Sequence, residues 1–130
     1  VIPGFMQKEG WGHKDVEDMI VTVDMSERKK TIFDMSDAAV ALPGGVGTLE
    51  ELTEVITLKQ LGLFNKPIVI VNVNGFYDHL ITFFDHMVRG NFMRLEHKDI
   101  WQIVTSAEEV VPAVINYTGW IADPKVIARI

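Results

Sequence analysis

The chain has 130 residues, 48% hydrophobic and 23% charged, with a formal net charge of −6. This length suits one domain with a real core, and the acidic balance argues against general binding to nucleic acid or anionic membranes. Any bound phosphate therefore needs a locally positive site. Cysteine is absent, which excludes disulfides, thiolate catalysis and cysteine-based metal sites.

In chain order, short apolar runs alternate with longer amphipathic segments, which predicts βαβ units and a parallel sheet. Val1-Ile2-Pro3-Gly4-Phe5 reads as the tail of a buried strand running into a loop. With no initiator Met, this predicts a fragment whose first βα unit or units are missing. Residues 7–18 are polar, with Gly10 and Gly12 around Trp11, and read as a loop. Residues 19–23 form a strand. Ser26 is placed to cap a helix running through Ile32, Phe33 and Ser36. Residues 38–42 form a short buried strand ending at Pro43. A helix over 48–61 carries Leu49, Leu52, Val55 and Ile56 on one side and stops at Gly62. Residues 67–73, Pro-Ile-Val-Ile-Val-Asn-Val, are nearly all apolar, as a central parallel strand covered on both faces should be. A helix over 76–89 ends at Gly90, a strand follows over 100–104, and a last helix over 107–117 contains or is kinked by Pro112. The tail over 121–130 is apolar enough to dock. The expected whole is a single Rossmann-like domain over 1–130, a three-layer fold with helices flanking a parallel sheet. No run is long enough to span a membrane and no signal peptide is seen, so a soluble cytoplasmic protein is expected.

Pro43-Gly44-Gly45-Val46-Gly47-Thr48 lies between a strand and a helix, at the carboxyl edge where α/β sheets bind ligands. Glycines let the backbone approach a ligand with no Cβ in the way, and the helix start offers unpaired N–H groups and a positive dipole end to an anion. The turn is neither a Walker loop nor the dinucleotide Gly-x-Gly-x-x-Gly fingerprint. Two readings stand: a phosphate cradle, or a connection whose glycines serve only tight strand–helix packing. Glu51 is similarly open. Thr48-Leu49-Glu50-Glu51 has the form of a capping box, with Glu50 as the outward partner, and the same carboxylate could serve chemistry.

Arg28, Lys29 and Lys30 fall in the first turn of a helix capped by Ser26, where cations oppose the dipole. An anionic ligand would give them a reason; a solvated helix start is the plainer one. His13, His79, His86 and His97 are scattered. Asp78-His79 and Asp85-His86, seven apart, read as a solvated helix face before a metal site. Trp11 is a packing anchor or a lid over a base, the anchor being preferred. Met19, Met25, Met35, Met87 and Met93 are read mostly as core or gap-filling residues, with Met25 near enough to the cations to line a purine pocket.

Met25-Ser26-Glu27-Arg28-Lys29, followed by Pro43-Gly44-Gly45-Val46-Gly47-Thr48-Leu49-Glu50-Glu51, resembles the LOG family of cytokinin riboside 5′-monophosphate phosphoribohydrolases, many of which carry a "lysine decarboxylase" label. Both motifs match at the family's separation, and the likeness runs through Gly62-Leu63-Phe64-Asn65-Lys66-Pro67 and Asn74-Gly75-Phe76-Tyr77-Asp78 to about Val111. The resemblance implies hydrolysis of a purine nucleoside 5′-monophosphate to free base and ribose 5-phosphate. By matching position it implies Arg28 and Glu51 as the catalytic pair. Gly44, Gly45, Val46, Gly47 and Thr48 would hold the phosphate, with Met25 and Lys29 beside the substrate. It also implies a homodimer or higher homo-oligomer. The family's first strand and its Ser/Gly-rich turn are not in this chain. Cleaving a ribosyl C–N bond builds oxocarbenium character, which a carboxylate can stabilise, so no metal or other cofactor is called for. An AMP nucleosidase is the nearest variant of this reading. A non-catalytic nucleotide- or phosphosugar-binding module is the alternative. Lysine decarboxylation is the weakest, since no lysine stands out for a Schiff base.

Overall fold

The computed structural model describes residues 1–120, so the docking expected of 121–130 lies outside the described residues. The chain divides into two compact units, Val1–Ser36 and Asp37–Ile130. The architecture is α/β: parallel strands flanked by helices, of the Rossmann-like three-layer class.

In the first unit, β1 (Ile2–Pro3) pairs in parallel with β2 (Val21–Thr22), Ile2 opposite Val21 and Pro3 opposite Thr22. The strand expected over 19–23 is thus only two residues long. Buried Thr22 donates from its hydroxyl to the Ile2 carbonyl (3.4 Å) and the Asp24 carbonyl (3.2 Å). The chain after β1 does not enter a loop directly. It forms α1 (Gly4–Lys8) first. Trp11 is 67% exposed, so among the described residues it is not enclosed as a packing anchor would be. The next helix, α2 (Met25–Met35), starts two residues earlier than Ser26 would set it. Its N-cap is Asp24, whose Oδ1 accepts from Glu27 N (2.8 Å), while Glu27 Oε2 accepts from Val23 N (2.6 Å). A carboxylate both caps the amides and favours the positive helix end, which explains why Asp24 takes the role over its neighbour.

The second unit holds a three-stranded parallel sheet in the order β3 (Ala39–Ala41), β4 (Ile68–Val71), β5 (Gln102–Val104). Val69 sits opposite both Val40 and Gln102, so β4 is central. All four β4 residues are at most 1% exposed, as their unbroken apolar run requires. Each buried Ile or Val contributes about 1.5–3 kcal/mol. Val110, Ala113 and Val114 of α5 (Val110–Ile115) pack on Val69, Val71 and Val104. Pro112 falls in the first turn of this short helix, where no intrahelical N–H bond is due, so it neither breaks nor kinks it.

Between β3 and β4 runs α3 (Val46–Gln60), burying Leu52, Val55, Ile56 and Lys59. It ends in a two-bond cap. Gly62, at φ +76°, donates to the Lys59 carbonyl (3.0 Å), and Leu63 N to the Leu58 carbonyl (2.8 Å). Only a residue that tolerates positive φ closes a helix this way. Between β4 and β5 lie a 3-10 turn (Val73–Gly75), α4 (Asp78–Arg89) and a second 3-10 stretch (Leu95–Ile100). Phe84 of α4 packs on Trp101, ring centroids 4.8 Å apart. Among the described residues no helix is long and apolar enough to cross a membrane.

Candidate functional site

The glycine-rich turn leaves the carboxyl end of β3 and becomes the first turn of α3, with Gly45 as N-cap. This removes the capping-box reading of Glu51. With the cap at Gly45, Thr48 is the third helical residue and Glu51 the sixth, too far along to reach the first amides. Leu49 N already bonds the Gly45 carbonyl (3.1 Å). The amides of Val46, Gly47 and Thr48 precede the helical ladder, and Gly45 has no side chain to cap them. Val46 is 84% exposed, so the helix start is open to solvent. Glu51 is half-buried one turn further on, and Glu50 is exposed, as expected of an outward neighbour.

The three glycines differ in what they are for. A Cβ on Gly44 would collide with Thr48 Oγ1 and lie 2.8 Å from Thr48 Cβ, so Gly44 is needed to let the Thr48 side chain tuck under the turn. Here the packing reading holds. At Gly45 and Gly47 a Cβ would meet nothing within 4 Å among the described residues, and neither has a positive φ. Packing and backbone conformation leave these two positions unexplained.

Arg28, Lys29 and Met25 lie in the first unit, on α2, and the turn and Glu51 in the second. With the cap at Asp24, Arg28 is the fourth residue of α2 and Lys30 the sixth, so these cations stand beyond the first turn. There the positive end of the helix dipole scarcely opposes them, because the effect fades within one turn. Arg28 Nε donates to the Val1 carbonyl (3.2 Å), and Lys30 pairs with Asp34 at 2.7 Å. A shallow depression of about 380 Å³ at the start of α2 is lined by Val23, Asp24, Ser26, Glu27 and Lys30. Two carboxylates on its wall suit it poorly to an anion. Met25 is 37% and Met35 65% exposed, and Met19, Met87 and Met93 are only partly buried, so these methionines are not core residues. Asp78 accepts from Asn72 Nδ2 (2.8 Å) and Asp85 pairs with Lys98 (2.7 Å), which holds the Asp85 carboxyl below its ordinary range.

One lysine does stand out, against expectation. Lys59 is 0% exposed, its ammonium donating to the Lys66 carbonyl and lying 4.1 Å from the centroid of the Tyr117 ring. Burial pushes its pKa from 10.5 down to about 8, and burial pushes the Tyr117 phenol up to about 12. No periodicity signals this: a lysine at an apolar helix position resembles any solvated charge until its partners are known. Its full enclosure leaves an aldehyde no path to the amine, so Lys59 does not fit a Schiff-base role.

Fold and turn together define a Rossmann-like α/β protein with a glycine-rich strand-to-helix connection. A family model described as "Possible lysine decarboxylase" matches residues 1–114, and the chain belongs to that family. Among curated proteins it is similar to cytokinin riboside 5′-monophosphate phosphoribohydrolase LOG5 of Arabidopsis thaliana, 42% identical over 112 residues, covering 86% of this chain and 49% of that protein. It is likewise similar to the probable cytokinin riboside 5′-monophosphate phosphoribohydrolases LOGL1 (37% identical, 91% of this chain and 53% of that one) and LOGL3 (44%, 75% and 46%) of Oryza sativa subsp. japonica. The resemblance first drawn from the two motifs is therefore borne out across most of the chain. The chain spans about half the length of the curated relatives it matches.

Proposed function

We propose that this chain carries the phosphate turn and the catalytic carboxylate of a nucleoside 5′-monophosphate phosphoribohydrolase. Its substrate is a purine nucleoside monophosphate, a cytokinin riboside 5′-monophosphate or AMP, and its products are free base and ribose 5-phosphate. The observation that carries the reading is the pair Gly45 and Gly47, glycines that neither packing nor φ requires, at an uncapped, exposed helix start. A ligand approaching the backbone supplies the missing reason. The relatives' names supply the reaction class.

In this reading the amides of Val46, Gly47 and Thr48 bind the 5′-phosphate, remote from the breaking bond, and so position the ribosyl carbon. Glu51 stabilises the oxocarbenium character that develops as the base leaves, and orients the water that replaces it. The roles of Arg28, Lys29 and Met25 rest on the motif alone. The protein works as a cytoplasmic homodimer or higher homo-oligomer, without a metal.

The test is incubation of the full-length protein with AMP and with a cytokinin riboside 5′-monophosphate, with chromatography for the free base. Glu51→Gln is expected to lower the rate about a hundredfold or more. Base release at the wild-type rate in Glu51→Gln would overturn the assignment of Glu51. Tight nucleotide binding without any base released would favour the non-catalytic module.

A further inference from the structure

We propose that Tyr77 is a positioning residue for the phosphate turn, an inference that rests on the phosphate-binding reading of residues 44–48. The Tyr77 hydroxyl donates to the Leu42 carbonyl at 2.6 Å, across 35 positions of sequence. That carbonyl belongs to the peptide bond leading into Pro43. Leu42 lies one residue past β3 and is 58% exposed, so the sheet ladder does not hold this peptide. Pro43 has a fixed φ, and Gly44 and Gly45 follow with the freedom of residues lacking a Cβ. Orienting the Leu42–Pro43 peptide therefore sets the direction from which Gly44 and Gly45 reach the helix start.

Tyr77 is itself held from several sides. It is 5% exposed, and its ring stands edge-on to Phe76, centroids 4.9 Å apart at 87°. Its backbone N–H donates to Asn72 Oδ1 (2.7 Å), while Asn72 Nδ2 donates to Asp78 Oδ1 (2.8 Å). Asn72 in turn bonds the Val104 carbonyl through its own N–H (2.7 Å), tying the network to the end of β5. Asn74 (φ +53°) and Gly75 (φ +71°) are consecutive left-handed residues that turn the chain between Asn72 and Tyr77. A Cβ on Gly75 would clash with the Asp78 carboxylate. The strained turn and the Asn72 side chain together fix where the Tyr77 ring starts, and its hydroxyl transmits that position to the glycine turn.

Tyr77→Phe removes only the link, since the ring and its packing stay. In the full-length protein the ¹⁵N order parameters of the amides of residues 44–48 should fall from about 0.85 toward 0.6, with those of 68–71 unchanged. The KM for AMP should rise about fivefold or more, with kcat within about twofold, as expected when ground-state and transition-state binding are lost together. Unchanged order parameters at 44–48, or an equal loss at 68–71, would overturn the proposal. So would a loosened turn with an unchanged KM. If wild-type protein neither binds nor hydrolyses AMP or a cytokinin riboside 5′-monophosphate, the phosphate reading fails. The order parameters then still report whether Tyr77 holds the turn.

Discussion

Replacing Lys59 by Met tests the energetics of the one cation fully buried among the described residues. Burial depresses the lysine from 10.5 to about 8, which at about 1.4 kcal/mol per tenfold amounts to about 3 kcal/mol against the folded state at neutral pH. A depressed lysine is protonated in both states below pH 8. Between 8 and 10.5 the folded form has released its proton while the unfolded chain still holds it, so stability rises with pH. Tyr117 acts in the opposite sense above pH 10: its folded value of about 12 exceeds the ordinary 10, and there the unfolded chain loses the proton first. The wild-type protein should therefore gain about 2–3 kcal/mol between pH 8 and 10 and no more beyond it. Lys59→Met keeps the unbranched shape and removes the proton. It also leaves the Lys66 carbonyl without its donor, at about 1–3 kcal/mol. The variant should be near neutral or mildly stabilised at pH 7 and clearly less stable than wild type at pH 10. Urea denaturation followed by far-UV circular dichroism at a series of pH values reads this directly, with a constant m value as control. A wild-type profile that is flat or falling from pH 8 to 10, or the same rise in Lys59→Met, would refute the reasoning.

Two further substitutions test the frame. Ile70→Ala empties a position that is 0% exposed at the centre of β4, and should cost about 2–5 kcal/mol in the same urea assay. Asp24→Ala removes the side-chain cap of α2 and should cost about 1 kcal/mol with some loss of helical signal. Ser26→Ala should leave both unchanged.

Much of the fold was legible from local pattern, because an unbroken apolar run such as Ile68–Val71 has few places to go but the centre of a parallel sheet. Gly62 likewise announced the end of α3, since a left-handed helix cap is a local demand. The caps at the other helix ends were harder. Asp24 and Ser26 are both good N-cap residues two positions apart, and Gly45 and Thr48 three apart, so a shift of a fraction of a turn decided whether Glu51 could be a cap at all.

The sequence by itself determined the α/β class, the family, and the placing of Pro43-Gly44-Gly45-Val46-Gly47-Thr48 between strand and helix, because each depends on neighbours along the chain. Only the tertiary structure separated the glycines, showing Gly44 needed for the Thr48 side chain and Gly45 and Gly47 not needed for packing. It alone enclosed Lys59 against Lys66 and Tyr117, and brought the Tyr77 hydroxyl to Leu42. A hydrogen bond across 35 residues leaves no trace in periodicity or composition. Its partners meet only because parallel strands return both segments to the same edge of the sheet.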